Sequence, residues 1–362
     1  MSGRPPAGAG ATATNRPGVV TAGAQRHILE VMRSPEPSPV DRGDRRRWAQ
    51  LLLGIVLFIV AEAVLIATAW FGTAAAGGSP AQGTAGWALL LGAVMGAAVA
   101  MGGYLLIVGQ LGRSPGLALR GPGKLAELVL GLVIGAALIS LSVGLIALLG
   151  GYRVAGLAPS PQLLAPLALG IGAGVIEEIL FRGILLRLLD AWLGSWAALA
   201  ITSLVFGLMH LMNDGATVLT ALGLVIEAGV LLGAAYILTR RLWLVIGIHI
   251  AWNAVQGGVY SSTISGTRQQ SGLLLVETDG PTWLTGGTMG VEGSLISVLM
   301  GLAAGLVMLV LAGRRGHLLP SVRTTRSVAG AGAADNGGAA DGAGAADGAR
   351  AVDSAEAIPR GA

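Results

Sequence analysis

The stretch Leu167-Ala168-Leu169-Gly170-Ile171-Gly172-Ala173-Gly174-Val175-Ile176-Glu177-Glu178-Ile179-Leu180-Phe181-Arg182-Gly183-Ile184-Leu185-Leu186 decides the reading of the chain. It lies inside an apolar run over 161–189, longer than the roughly 20 residues that cross a bilayer. In hydrocarbon every backbone polar group has to be satisfied within the segment, so the run is a helix. Three ionisable side chains inside it cost several kcal/mol or more each and call for a reason. Glu178 and Arg182 stand four apart, share a helix face and can pair. Glu177 is turned about 100° away, free for another task such as general-base work. The plainer reading, that both acids are structural partners of one arginine, competes with this.

Seven more such runs surround it, at about 49–71, 86–109, 125–150, 194–212, 217–239, 242–260 and 291–312. None shows strand-period alternation, which argues against a membrane barrel. Of 42 charged residues, 12 lie in 1–47, 11 in 313–362 and only 19 in the 265 residues between. That distribution excludes an ordinary soluble domain. The fold expected is all-α, a polytopic membrane helix bundle of about eight transmembrane helices between disordered tails. The N-terminal tail (1–47) and the Gly/Ala/Asp-rich C-terminal tail (313–362) flank a transmembrane body (48–312).

Basic residues recur at every second boundary: Arg42 and Arg45 to Arg47, then Arg113, Arg120 and Lys124, Arg187, Arg240 and Arg241, Arg314 and Arg315. The positive-inside rule then puts both termini in the cytoplasm. The arginines flank apolar spans, so the basic balance points to the lipid bilayer and not to nucleic acid. With no cysteine there is no disulfide, Cys-ligated zinc or thiol nucleophile. Composition suggests a bacterial cell membrane.

Chemistry gathers in two further spans. One holds Phe206-Gly207-Leu208-Met209-His210, the other His249-Ile250-Ala251-Trp252-Asn253. His249 and Asn253 line one face. Neutral imidazoles bind zinc or position a water, a carboxylate takes its proton, and an Asn amide stabilises an oxyanion. Two His and one Glu (Glu177, His210, His249) suit zinc or another divalent metal, with water in the fourth position. At about 1.5 Å per residue, His210 falls roughly 20–25 Å into its span and His249 roughly 10–12 Å, a gap that helix tilt or a later start near Trp196 would reduce. Glu62 and Glu227 read as structural acids, hydrogen-bonded to a neighbouring helix or protonated. Gly229 and Gly233 form a Gly-x-x-x-Gly pair suited to close helix packing.

The three motifs Glu-Glu-x-x-x-Arg (177–182), Phe-x-x-x-His (206–210) and His-x-x-x-Asn (249–253) occur in this order on separate apolar runs. Together they resemble the signature of the CPBP intramembrane metalloproteases, which include the type II CAAX-prenyl endopeptidases and bacteriocin-processing proteins. The likeness covers about 161–256. It implies an intramembrane endopeptidase acting on a membrane-associated protein or peptide. Glu177 would activate a water with help from His210, and His249 and Asn253 would stabilise the oxyanion. Glu178, Arg182 and Phe206 would support the site. Two other readings compete: a transporter or proton relay using the same Glu/His cluster, and a catalytically inactive relative that binds a partner.

Overall fold

The computed structural model describes residues 46–112 and 118–320. Nearly all of the two tails expected to be disordered lies outside them. The chain is an all-α membrane helix bundle. Seven helices are long and apolar enough to cross a membrane: α1 (Arg47–Ala75), α2 (Gly86–Leu111), α3 (Lys124–Leu148), α4 (Leu164–Leu193), α5 (Ser195–Met212), α6 (Val218–Thr239) and α8 (Leu295–Arg314). The eighth expected span is α7 (Trp243–Gly258), which has only 16 residues. At about 1.5 Å per residue it is roughly 24 Å long, short of the usual hydrocarbon thickness. Its surroundings explain this: 12 of its 16 residues are buried, so protein and not lipid sets its length.

Glycine brings the helices that carry the site together. A Cβ at Gly131 or Gly135 of α3 would collide with the backbone carbonyls of Leu244 and Ile248 on α7. One at Gly247 would collide with the Leu128 carbonyl in return. Gly174 on α4 faces Ile250, where an added Cβ would stand 3.0 Å from the backbone nitrogen. Gly229 and Gly233 of α6 close in the same way on Ser203 and Leu199 of α5. By contrast, α1 buries mainly small or polar residues, among them Gly54, Ala61 and Ala69, and leaves its large aliphatic side chains outside. That inversion suits a helix whose outer face meets lipid.

The connections gather on two faces. On one, Arg241 pairs with Glu127 at 3.1 Å, Arg240 with Asp190, and Arg187 reaches Gln50. Trp243 Nε1 donates to the Leu119 carbonyl there at 3.1 Å, and the Ser195 N–H to that of Leu319 at 3.0 Å. On the other, β1 (Tyr152–Leu157) pairs antiparallel with β2 (Leu274–Thr278), Tyr152 opposite Thr278. Gly215, between α5 and α6, donates to Gly266 at 2.8 Å on that same face. The basic boundaries thus share one end of the bundle. The two-stranded ribbon is not in the all-α expectation: its strands are short and join loops more than a hundred residues apart, so no local pattern announces it.

Candidate active site

The arrangement centres on Glu178. Its Oε1 accepts from Arg182 Nη1 at 2.9 Å along α4 and from His249 Nδ1 at 2.8 Å on α7. All three side chains are buried. The α4 backbone is wound as wide π turns over Ala173–Glu177 and Ile179–Leu186, a geometry that gathers at functional sites. Gly174, one turn before Glu178, admits α7 close enough for the carboxylate to reach the imidazole. The Glu178–Arg182 pair is the one its spacing predicts. The bond to His249 is not legible in spacing, because it depends on how two distant helices dock.

Arg182 also donates from Nη2 to the Ala228 carbonyl on α6 at 3.3 Å, and its guanidinium lies 4.5 Å from the Phe206 ring centroid. Phe206 packs edge-on to Phe181, 5.1 Å between centroids, and lies 4.9 Å from His210 and 6.1 Å from His249. One aromatic ring therefore spaces the cation and both imidazoles. His210 stands at the end of α5, its Nδ1 2.8 Å from the Phe206 carbonyl. A carbonyl only accepts, so Nδ1 carries the proton and Nε2 of the neutral ring keeps its lone pair.

His210, His249, Asn253 and Phe206 line one cavity of about 30 Å³. That space holds water but not a peptide. Glu177 does not line it. Glu177 is half-buried, its Oε2 has no hydrogen-bond partner, and it lies within electrostatic reach of Arg182, His249 and, on α1, Glu62. Three of the four expected catalytic side chains thus share a wall, and the fourth stands beside the Glu178 network.

Two further acids line that cavity, and of these only Glu227 is singled out from the sequence. Glu227 of α6 lines it, and among the described residues neither of its oxygens has a hydrogen-bond partner, so of the two roles read for it the bond to a neighbouring helix is not seen. Glu292, in the turn before α8, lines it too and accepts from the Ser265 N–H. Burial pushes the Glu292 carboxyl up from the ordinary range, against the opposing pull of its hydrogen bond from Ser265. Its one sequence signal is an acid at the mouth of the last apolar run. The metal reading is poorly served: among the described residues no three His, Asp or Glu side chains are grouped to hold an ion. His210 and His249 offer only Nε2, and Glu177 is off the wall.

Residues 159–255 match the family model described as type II CAAX prenyl endopeptidase Rce1-like. The matched segment contains all three motifs, covers a little over a quarter of the chain, and is similar to the CAAX-protease family they resemble. Comparison with curated proteins and with solved structures gave no match.

Proposed function

We propose that this chain is an intramembrane endopeptidase that hydrolyses a peptide bond of a membrane-associated protein or peptide with an activated water. The observation that carries this reading is the pair of hydrogen bonds that Glu178 accepts from Arg182 and His249. It fixes His249 beside Asn253 and His210 on a water-sized cavity, next to an acid with an unpartnered oxygen.

In this mechanism Glu177 removes a proton from the water, and His210 orients that water through Nε2. Attack on the scissile carbonyl puts negative charge on its oxygen. His249 and the Asn253 amide donate to that oxyanion. With Nδ1 already donating to Glu178, His249 donates at Nε2 only as the imidazolium, and Glu178 is the counter-charge that form needs. Glu177 then passes its proton to the leaving amine. Glu177 closes on the water when substrate binds, since catalytic hydrogen bonds commonly tighten only in the substrate complex. Walls must also part to admit a peptide.

The test is cleavage of membrane-anchored peptides by the purified full chain in liposomes, wild type against Glu177→Ala. Loss of a general base costs about 10²–10⁴-fold. A variant that keeps more than a tenth of the wild-type rate would remove Glu177 from the mechanism.

A further inference from the structure

The mechanism leaves Glu227 and Glu292 without a task. Glu227 sits in a wide π turn, Val225–Gly229, and is 1% exposed. Both its oxygens lack a hydrogen-bond partner although it lines the cavity. Gly301 of α8 packs against its stem, where an added Cβ would come 2.6 Å from Glu227 Cγ. The bare backbone at 301 is what makes room for this side chain. Glu292 is 3% exposed and is held at one oxygen by the Ser265 N–H.

Among the described residues no lysine or arginine lines this cavity. Two buried acids are therefore opposed only by imidazoles, and His249 is already committed to Glu178. A buried carboxylate without a counter-charge is costly in its ionised form, and a cationic ligand supplies the charge that form lacks. Trp252 on the same wall adds an aromatic ring, a partner suited to cations. The free space of about 30 Å³ takes one water-sized group as it stands, so an ammonium on its stem enters only when the walls part for substrate, as the mechanism already requires. A divalent ion fits less well, because no three-donor group is present among the described residues.

We propose that Glu227 and Glu292 form an acidic pocket that receives the cationic side chain, above all lysine, of a substrate residue flanking the scissile bond. This rests on the endopeptidase reading and names the substrate class of the same site.

The experiment compares matched membrane-anchored peptides carrying lysine, norleucine or glutamate next to the cleaved bond. The full chain in liposomes is assayed as wild type, Glu227→Gln and Glu292→Gln, each checked for thermal unfolding. Wild type is expected to favour lysine over norleucine at least tenfold in kcat/KM and to disfavour glutamate. Each Gln variant should bring the lysine-to-norleucine ratio to within about threefold. Two Gln variants are made so that failure of one to fold leaves the other as the test. Equal cleavage of lysine and norleucine peptides by wild type overturns the pocket, as does a ratio unchanged in the Gln variants. Should no peptide be cleaved, the endopeptidase reading fails first. Binding of uncleaved peptides then decides the pocket, and equal lysine and norleucine affinities overturn it. Mn²⁺ or Ca²⁺ binding that Glu227→Gln abolishes, with no side-chain preference, would overturn it in favour of an inorganic ion.

Discussion

Glu177 and Glu178 are adjacent in sequence and differ in what surrounds them. Glu178 has two donors on one oxygen, so removing either partner strands buried charge. Arg182→Ala should therefore cost about 3–5 kcal/mol of stability, as loss of one member of a buried pair does. Glu177→Gln removes no bond on its free oxygen and should abolish cleavage while leaving folded yield near wild type. Unfolding and turnover measured side by side on the two variants check this; equal loss of folded protein would count against separate roles. The one-residue offset and the four-residue spacing were enough to separate these acids from sequence. Glu292 was not legible, because its burial and its approach to His210 arise from a loop closing over helices far away in sequence. That burial predicts a pH signature. A carboxyl whose pKa is raised by folding is protonated in both states at low pH and costs nothing there. Its cost grows as pH rises from the ordinary carboxylate range towards the raised value. Glu292→Gln should thus raise the apparent melting temperature at pH 8 and barely at pH 4. An equal gain at both values would show that the gain does not come from ionisation.

Among the elements, α7 shows how packing overrides local preference. Alanine is a better helix former than glycine by about 1 kcal/mol, so propensity alone favours Gly131→Ala. The added methyl would enter the Leu244 carbonyl, and backbone does not yield as a side chain does. Overpacking of this kind costs about 1–3 kcal/mol. Gly131→Ala should lower the melting temperature and reduce cleavage, because His249 rides on the displaced helix. Gly144→Ala, on the same helix with nothing within 4 Å of its added Cβ, should do neither. If both variants melt alike, the α3–α7 contact does not position the site. Hydropathy located the helix ends to within a few residues: 161–189 became Leu164–Leu193, and 242–260 became Trp243–Gly258. The π turns around Glu178 and Glu227 carry no compositional mark, since they follow from tertiary docking. The β1–β2 ribbon is silent for the same reason.

For the whole molecule, the decisive property is that the basic residues at alternate boundaries collect at one end of the bundle. Hydropathy and loop charge predicted this alternation, and the contacts of Arg187, Arg240 and Arg241 with Gln50, Asp190 and Glu127 now join four of those boundaries physically. The ribbon and the Gly215–Gly266 bond join the poorly charged loops at the other end. Loops bonded to each other must lie on one side of the membrane, so only two orientations remain for the body. Because lysine and arginine are as a rule retained on the cytoplasmic side, we propose the one with Arg240 and Arg241 inside. A reporter fused after residue 241 should then read as cytoplasmic, and one inserted near residue 270 as external. Because the 16-residue α7 alone separates those two sites, the pair of fusions also decides whether so short a helix crosses. Both reporters on one side would mean that α7 does not. An exchange of the two signals would instead keep the bundle and reverse it. The cavity, bounded by Ser265 and Glu292 of the loops at the ribbon end, would in that case open to the cytoplasm.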